Sequence, residues 1–161
     1  MTHPLAQPTT AGRVTGVFHV GLTVREMDEA LRFYRDTLGL ELESRYELPG
    51  RVVARVVGIE SEQVILAWLA VPGSDVRLEL FEYQGIERSS LASRPCDIGY
   101  GHLCLYVEDL DAIYQRLCDG GYDSRTPPVT LTGGSHAGAK VLYATSPDGY
   151  DVELYERASA P

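Results

Sequence analysis

The 161-residue chain is poor in several things at once, and each shortage excludes a class of protein. No run approaches the ~18 consecutive apolar residues of a membrane-spanning helix, so no integral membrane role is expected. The residues before Arg13 hold Pro4, Pro8, Thr9, Thr10 and Gly12 without an apolar block. Residues 1–13 are therefore expected to be a disordered tail, not a signal peptide. Basic residues are scarce: the net charge is −9 and the pI about 4.8, which argues against nucleic acid or an anionic membrane surface as a partner. Cysteine is limited to Cys96, Cys104 and Cys118, which cannot all pair within one chain and show no C-x-x-C spacing. A reducing cytoplasm fits that usage. Cys104 falls in an apolar strand pattern and reads as a plain buried thiol.

What the chain does contain is one motif written twice. Leu78-Glu79-Leu80-Phe81-Glu82 returns as Val152-Glu153-Leu154-Tyr155-Glu156. Each copy lies downstream of a strand-like segment carrying one histidine: Val17-Phe18-His19-Val20-Gly21-Leu22 and Gly101-His102-Leu103-Cys104-Leu105. Laying His102 on His19 sets Val24 on Val107, Met27 on Leu110 and Asp28 on Asp111. Both following helices end in glycine, at Gly39 and at Gly120-Gly121.

In order, the pattern predicts a strand over 16–24 and a helix from 25 whose apolar positions run from Met27 to Leu38. A strand over 40–46 follows; Val52, Val53, Val56 and Val57 fit a short helix or a strand, with a short helical turn ending at Gly58 the preferred reading; a hairpin of 64–71 with 76–83 comes next. Residues 84–99 are polar and broken by Pro95, a linker long enough to cross the molecule. The second copy has a strand over 101–107, a helix opening at 108–111, a short strand over 122–125, a mobile glycine-rich loop over 126–138, and a closing hairpin of 139–145 with 150–156. The repeat is βαβββ, twice. The expected fold is α+β, two tandem βαβββ modules forming a cupped, curved mixed sheet. A single domain is expected over 14–157: module one 14–86, linker 87–98 and module two 99–157.

Strand alternation sorts the polar residues by face. His19 shares a face with Gly21 and Thr23, and Glu79 with Arg77, Phe81 and Tyr83. His102 shares a face with Cys104 and Tyr106, and Glu153 with Asp151 and Tyr155. If the sheets curve into one trough, His19, Glu79, His102 and Glu153 meet at its floor. Two carboxylates placed together need a positive partner, and a divalent cation supplies one. Two imidazoles and two carboxylates suit nickel, zinc, cobalt, manganese or iron better than calcium. A lone strand histidine is usually structural; recurrence of both residue types at equivalent places is what points to a metal. Glu82 and Glu156 also recur, but on the other face, and read as solvated. His136 reads as an exposed loop residue, with a lid residue reaching substrate as the competing reading. Thr23, Tyr83, Tyr106 and Tyr155 are candidates to line the pocket, with plain packing the competing reading for the tyrosines.

With these residues in place, the chain resembles the vicinal oxygen chelate superfamily, the glyoxalase, bleomycin-resistance and extradiol dioxygenase group. The resemblance spans roughly 17–156. It is carried by His19-Val20-Gly21-Leu22-Thr23-Val24, Phe33-Tyr34-Arg35-Asp36-Thr37-Leu38-Gly39-Leu40, Gly101-His102-Leu103 and Ser146-Pro147-Asp148-Gly149-Tyr150-Asp151-Val152-Glu153-Leu154. It implies paired βαβββ modules around one divalent metal held by His19, Glu79, His102 and Glu153, and a homodimer. The implied activity is that of a metal-dependent lyase or isomerase moving a proton beside a carbonyl of a small substrate chelated through vicinal oxygens, with Glu153 first and Glu79 second as base. Glu79 agrees with glyoxalase I, whereas Thr23 stands where that branch usually has the arginine that grips glutathione. The run around His19 is more similar to methylmalonyl-CoA epimerase, a branch that commonly has glutamine at the position of Glu79. An antibiotic-binding protein without metal, or an iron-dependent extradiol-type dioxygenase, are the alternatives the same resemblance leaves open.

Overall fold

A computed structural model describes residues 12–90 and 94–158. The tail expected over 1–13 lies almost wholly outside the described residues. Two four-stranded mixed sheets are present, and they repeat one topology. The first runs in the order β1 (His19–Thr23), β4 (Arg77–Gln84), β3 (Gln63–Ala70), β2 (Glu41–Pro49). The second runs β5 (Leu103–Val107), β8 (Asp151–Glu156), β7 (Lys140–Thr145), β6 (Val129–Thr130). In each, the first strand pairs parallel with the last, and the last pairs antiparallel with the strand before it. This is βαβββ twice, as the repeat predicts.

The helices differ in detail. α1 (Met27–Leu31) continues as a π-helical stretch, Arg32–Thr37, in which Leu38 N–H reaches the Phe33 carbonyl. α3 (Leu110–Asp119) is regular, and it buries Leu110, Ile113 and Leu117 at helical spacing. Its N-terminus is capped by Asp109, whose carboxylate accepts from Ala112 N–H at 3.1 Å. α2 (Gly50–Val57) is the helical turn predicted before Gly58, and Gly58 closes it in the left-handed conformation at φ 73°.

The buried faces of both sheets and of α1 and α3 form one core. Phe33, Tyr34, Leu69, Leu78 and Leu80 come from the first module; Leu110, Leu117, Leu142, Val152 and Leu154 come from the second. Phe33 also meets Tyr122 edge-on at 5.0 Å, and Arg116 Nε donates to the Thr37 carbonyl at 3.2 Å. The modules are thus joined through their helices. A smaller cluster of Val53, Val64 and Leu66 sits on the other face of the first sheet, with Phe81 and Tyr83 against it, so α2 lies on the face that carries Glu79.

Three expectations need correction. No strand forms over 122–125: Ser124 makes an isolated bridge to Ala144, and the fourth strand of the second sheet is β6, inside the segment read as a mobile loop. Cys104 is exposed, because the face of β5 that it shares with His102 and Tyr106 is open. Glu82 and Glu156 are not solvated. Glu82 is buried and accepts from Met27 N–H at 2.7 Å, and Glu156 accepts from Leu110 N–H at 2.7 Å. Each caps the helix of its own module, since the first turn of a helix leaves N–H groups that an acidic side chain can satisfy. Met27 and Leu110 are equivalent positions, so the duplication preserved a helix cap as well as a candidate ligand.

Candidate metal centre

The parallel pairing of first and last strands places each histidine beside its glutamate. Gly21 registers with Glu79, and Cys104 with Glu153, so the side chains at His19 and His102 reach across to the carboxylates. His19 Nε2 stands 3.1 Å from Glu79 Oε2; His102 Nε2 stands 3.0 Å from Glu153 Oε2. The same nitrogen faces the same kind of oxygen in both modules.

Each pair has an aromatic wall that the sequence reading missed. Trp68 registers with Glu79 and meets His19 edge-on at 5.2 Å, while its Nε1–H donates to Tyr46 Oη at 3.1 Å. Tyr143 registers with Glu153, meets His102 at 5.0 Å, and brings its hydroxyl to 3.3 Å from His102 Nε2. Aligning the two hairpins on their glutamates would have revealed both, because cross-strand partners share a face.

Burial shapes the electrostatics. The Glu79 side chain is 8% exposed, and desolvation pushes its carboxyl above the usual range, with His19 opposing the shift. Burial raises the Tyr143 hydroxyl too, with nearby Glu153 adding to it. Although Cys104 as a residue is exposed, its thiol sits against Glu153, and local desolvation together with the Glu153 charge pushes it up to about 12, so it stays protonated at neutral pH.

The two pairs do not meet within one chain. Among the described residues, no group of three or more histidines, cysteines, aspartates or glutamates lies close enough to hold a metal ion. The single four-residue floor expected from the trough is therefore replaced by two half-sites, one per module. The helices hold the modules together through a shared core, and each His–Glu pair lies on the sheet face away from that core. The histidine side chains remain 35% and 33% exposed. As a donor set, each half-site suits a borderline divalent ion, because an imidazole nitrogen and a carboxylate oxygen already face one another at hydrogen-bond distance.

The proposed lining residues divide. Tyr83 packs beneath α2. Thr23 lines a 710 Å³ cleft between the modules, together with Arg25, Arg88, Tyr100 and Asp148, and none of the four candidate ligands borders it. Tyr106 and Tyr155 border a 240 Å³ cavity on the second sheet, together with His136.

With this geometry in place, comparison with known proteins is informative. Residues 16–154 match the model of the Glyoxalase/Bleomycin resistance protein/Dioxygenase superfamily, and the chain belongs to that family. Among curated relatives, it is 30% identical to a 2-epi-5-epi-valiolone epimerase of Actinomyces sp., over 86% of this chain and 77% of the relative. It is 27% identical to a probable lactoylglutathione lyase of Synechocystis sp., over 89% of this chain and 96% of the relative. The fold is shared with a glyoxalase family protein from Bacillus cereus, with a TM-score of 0.78 at 23% identity, covering 92% and 97% of the two chains. No described helix is long and apolar enough to cross a membrane.

Proposed function

We propose that the protein is a divalent-metal-dependent lyase or isomerase that moves a proton beside a carbonyl of a small substrate bearing two vicinal oxygens. The observation that carries this reading is the duplicated pair, His19 with Glu79 and His102 with Glu153, each at hydrogen-bond distance through the same atoms. Similarity to proteins named an epimerase and a lyase supports that reaction class. Family members include an iron-dependent extradiol dioxygenase, but a second buried carboxylate beside His19 favours the four-ligand set over two histidines and one carboxylate.

Because one chain forms only half-sites, we infer that the complete site is built by two copies, module one of each chain facing module two of its partner. Val17 and Phe18, exposed beside His19, are apolar surface that such a contact would bury. His19 and Glu79 of one copy, with His102 and Glu153 of the other, would hold the ion. The bound ion would supply Lewis-acid stabilisation of the oxyanion that forms when the proton leaves. Glu153 would take the proton from the carbon beside the carbonyl through its carboxylate oxygen, and Glu79 would hold or return it from the opposite half-site. Trp68 and Tyr143 would keep the imidazole rings oriented and limit water at the reacting carbon.

Elemental analysis of protein purified without chelators tests this. Bound nickel, zinc, cobalt, manganese or iron is expected, and His102→Ala should remove most of it together with turnover. Metal content unchanged by that substitution would overturn the proposal.

A further inference from the structure

We propose that the cavity beside the second His–Glu pair is a subsite for an oxyanion, a carboxylate or phosphate borne by the far end of the substrate, held by Arg157 and the His136–Tyr155 pair. The inference rests on the reading above only for the word substrate; the anion site itself stands on its own geometry.

Strand alternation carries β8 from Glu153 to Tyr155 along one face and β5 from Cys104 to Tyr106 beside it; His102, just before β5, meets Glu153, and Arg157, just after β8, meets Tyr106. Tyr106 registers with Tyr155, so both rings stand beyond the His–Glu pair on the same open face. Two residues of strand span about 7 Å, the reach of a short substrate chain. There a 240 Å³ cavity opens, lined by Tyr106, Ser135, His136, Tyr155 and Arg157 with three alanines.

Apart from the alanines, every lining side chain can donate a hydrogen bond. The chain carries a net charge of −9, yet among the described residues no carboxylate borders this cavity. The Arg157 guanidinium stacks on Tyr106 at 4.0 Å from the ring centroid, and among the described residues it makes no ion pair or hydrogen bond. Stacking fixes the plane of the guanidinium while leaving its N–H edge free to fork onto two oxygens. His136 Nδ1 lies 2.7 Å from Tyr155 Oη. If Tyr155 donates, the neutral ring presents Nε2–H; if His136 donates, the Tyr155 hydroxyl proton is free. Either way the pair retains one donor for a ligand. Tyr106 is 69% exposed, so among the described residues the site stays open. A guanidinium fork, one further donor, the Ser135 hydroxyl and a described lining without carboxylates are the chemistry of oxyanion recognition.

Titration of the metal-replete, full-length protein with inorganic phosphate and, separately, with acetate at constant ionic strength tests this by amide shifts. Saturable shifts confined to 135–139 and 155–158 are expected with at least one of the two anions, and the anion that saturates names the end group. Arg157→Ala should weaken that binding by about tenfold or more, and Arg157→Lys by less, since it keeps the charge without the fork. His102→Ala, which disables the proposed metal centre, should leave the shifts in place, so a failure of the metal reading is distinguishable. Shifts that do not saturate with either anion, that persist unchanged in Arg157→Ala, or that vanish in His102→Ala would overturn the proposal.

Discussion

Complementation between two damaged chains measures how the half-sites combine. Replacing His19 and Glu79 by alanine removes the first half-site; replacing His102 and Glu153 removes the second. His19, His102 and Glu153 are partly exposed, and Glu79, though buried, lies outside the core that joins the modules, so both variants should fold. Each variant alone leaves every site with two of its four ligands. Mixed in equal amounts and allowed to exchange, the chains form mixed dimers in about half of all cases, by random pairing about a twofold axis. If the site spans two copies, one site of each mixed dimer has all four ligands and the other has none. The mixture should then bind about a quarter of the wild-type metal per chain, and each parent far less. If the site forms within one chain, every site in the mixture is still broken and metal content stays at the parental level. Elemental analysis after gel filtration reads the difference without any knowledge of the substrate. Parental metal content in a mixture shown to contain mixed dimers would refute the shared site.

The helix caps give a second test. Glu82→Ala strips the acceptor from the buried Met27 N–H and should cost about 2 kcal/mol in urea denaturation, with Glu82→Gln, which keeps an acceptor oxygen, costing about 1 kcal/mol or less. Equal losses from the two variants would show that capping is not what Glu82 does. Asp148 accepts from Arg25 N–H at 2.8 Å, and burial holds its carboxyl above the usual range. Its neutral form is therefore favoured in the folded state: the contribution is fully present below the unfolded value and is lost as pH rises through the higher folded one. Asp148→Asn should flatten stability across that acid window, and identical pH profiles for the two proteins would contradict it. Gly58→Ala should cost about 1–2 kcal/mol through its left-handed backbone. Gly50→Ala should cost more, because a β-carbon there would lie 1.9 Å from the Ser61 carbonyl oxygen. Thermal melts of the two variants compare them directly, and a Gly50→Ala melting point above that of Gly58→Ala would be inconsistent with the close approach.

Sequence alone determined the duplication, the βαβββ order and the face on which each histidine and glutamate stands. Those are properties of neighbours: alternation along a strand, and pairing of adjacent strands within one module, follow from local residue order. The His19–Glu79 and His102–Glu153 contacts were legible for that reason. What lies opposite a given face was not. Glu82 and Glu156 stand on the faces that alternation assigned them, yet those faces meet helix ends 55 and 46 residues away, which turns a presumed solvated carboxylate into a cap. Cys104 went astray in the opposite sense, since its apolar neighbours predict burial but its own face is open. The largest such difference is the site itself. Four ligand-type residues in two equivalent pairs suggested one floor, but the helices of both modules share a core and leave the two pairs apart. Local periodicity fixes which way a side chain points; only the long-range packing of one module on another decides what it points at.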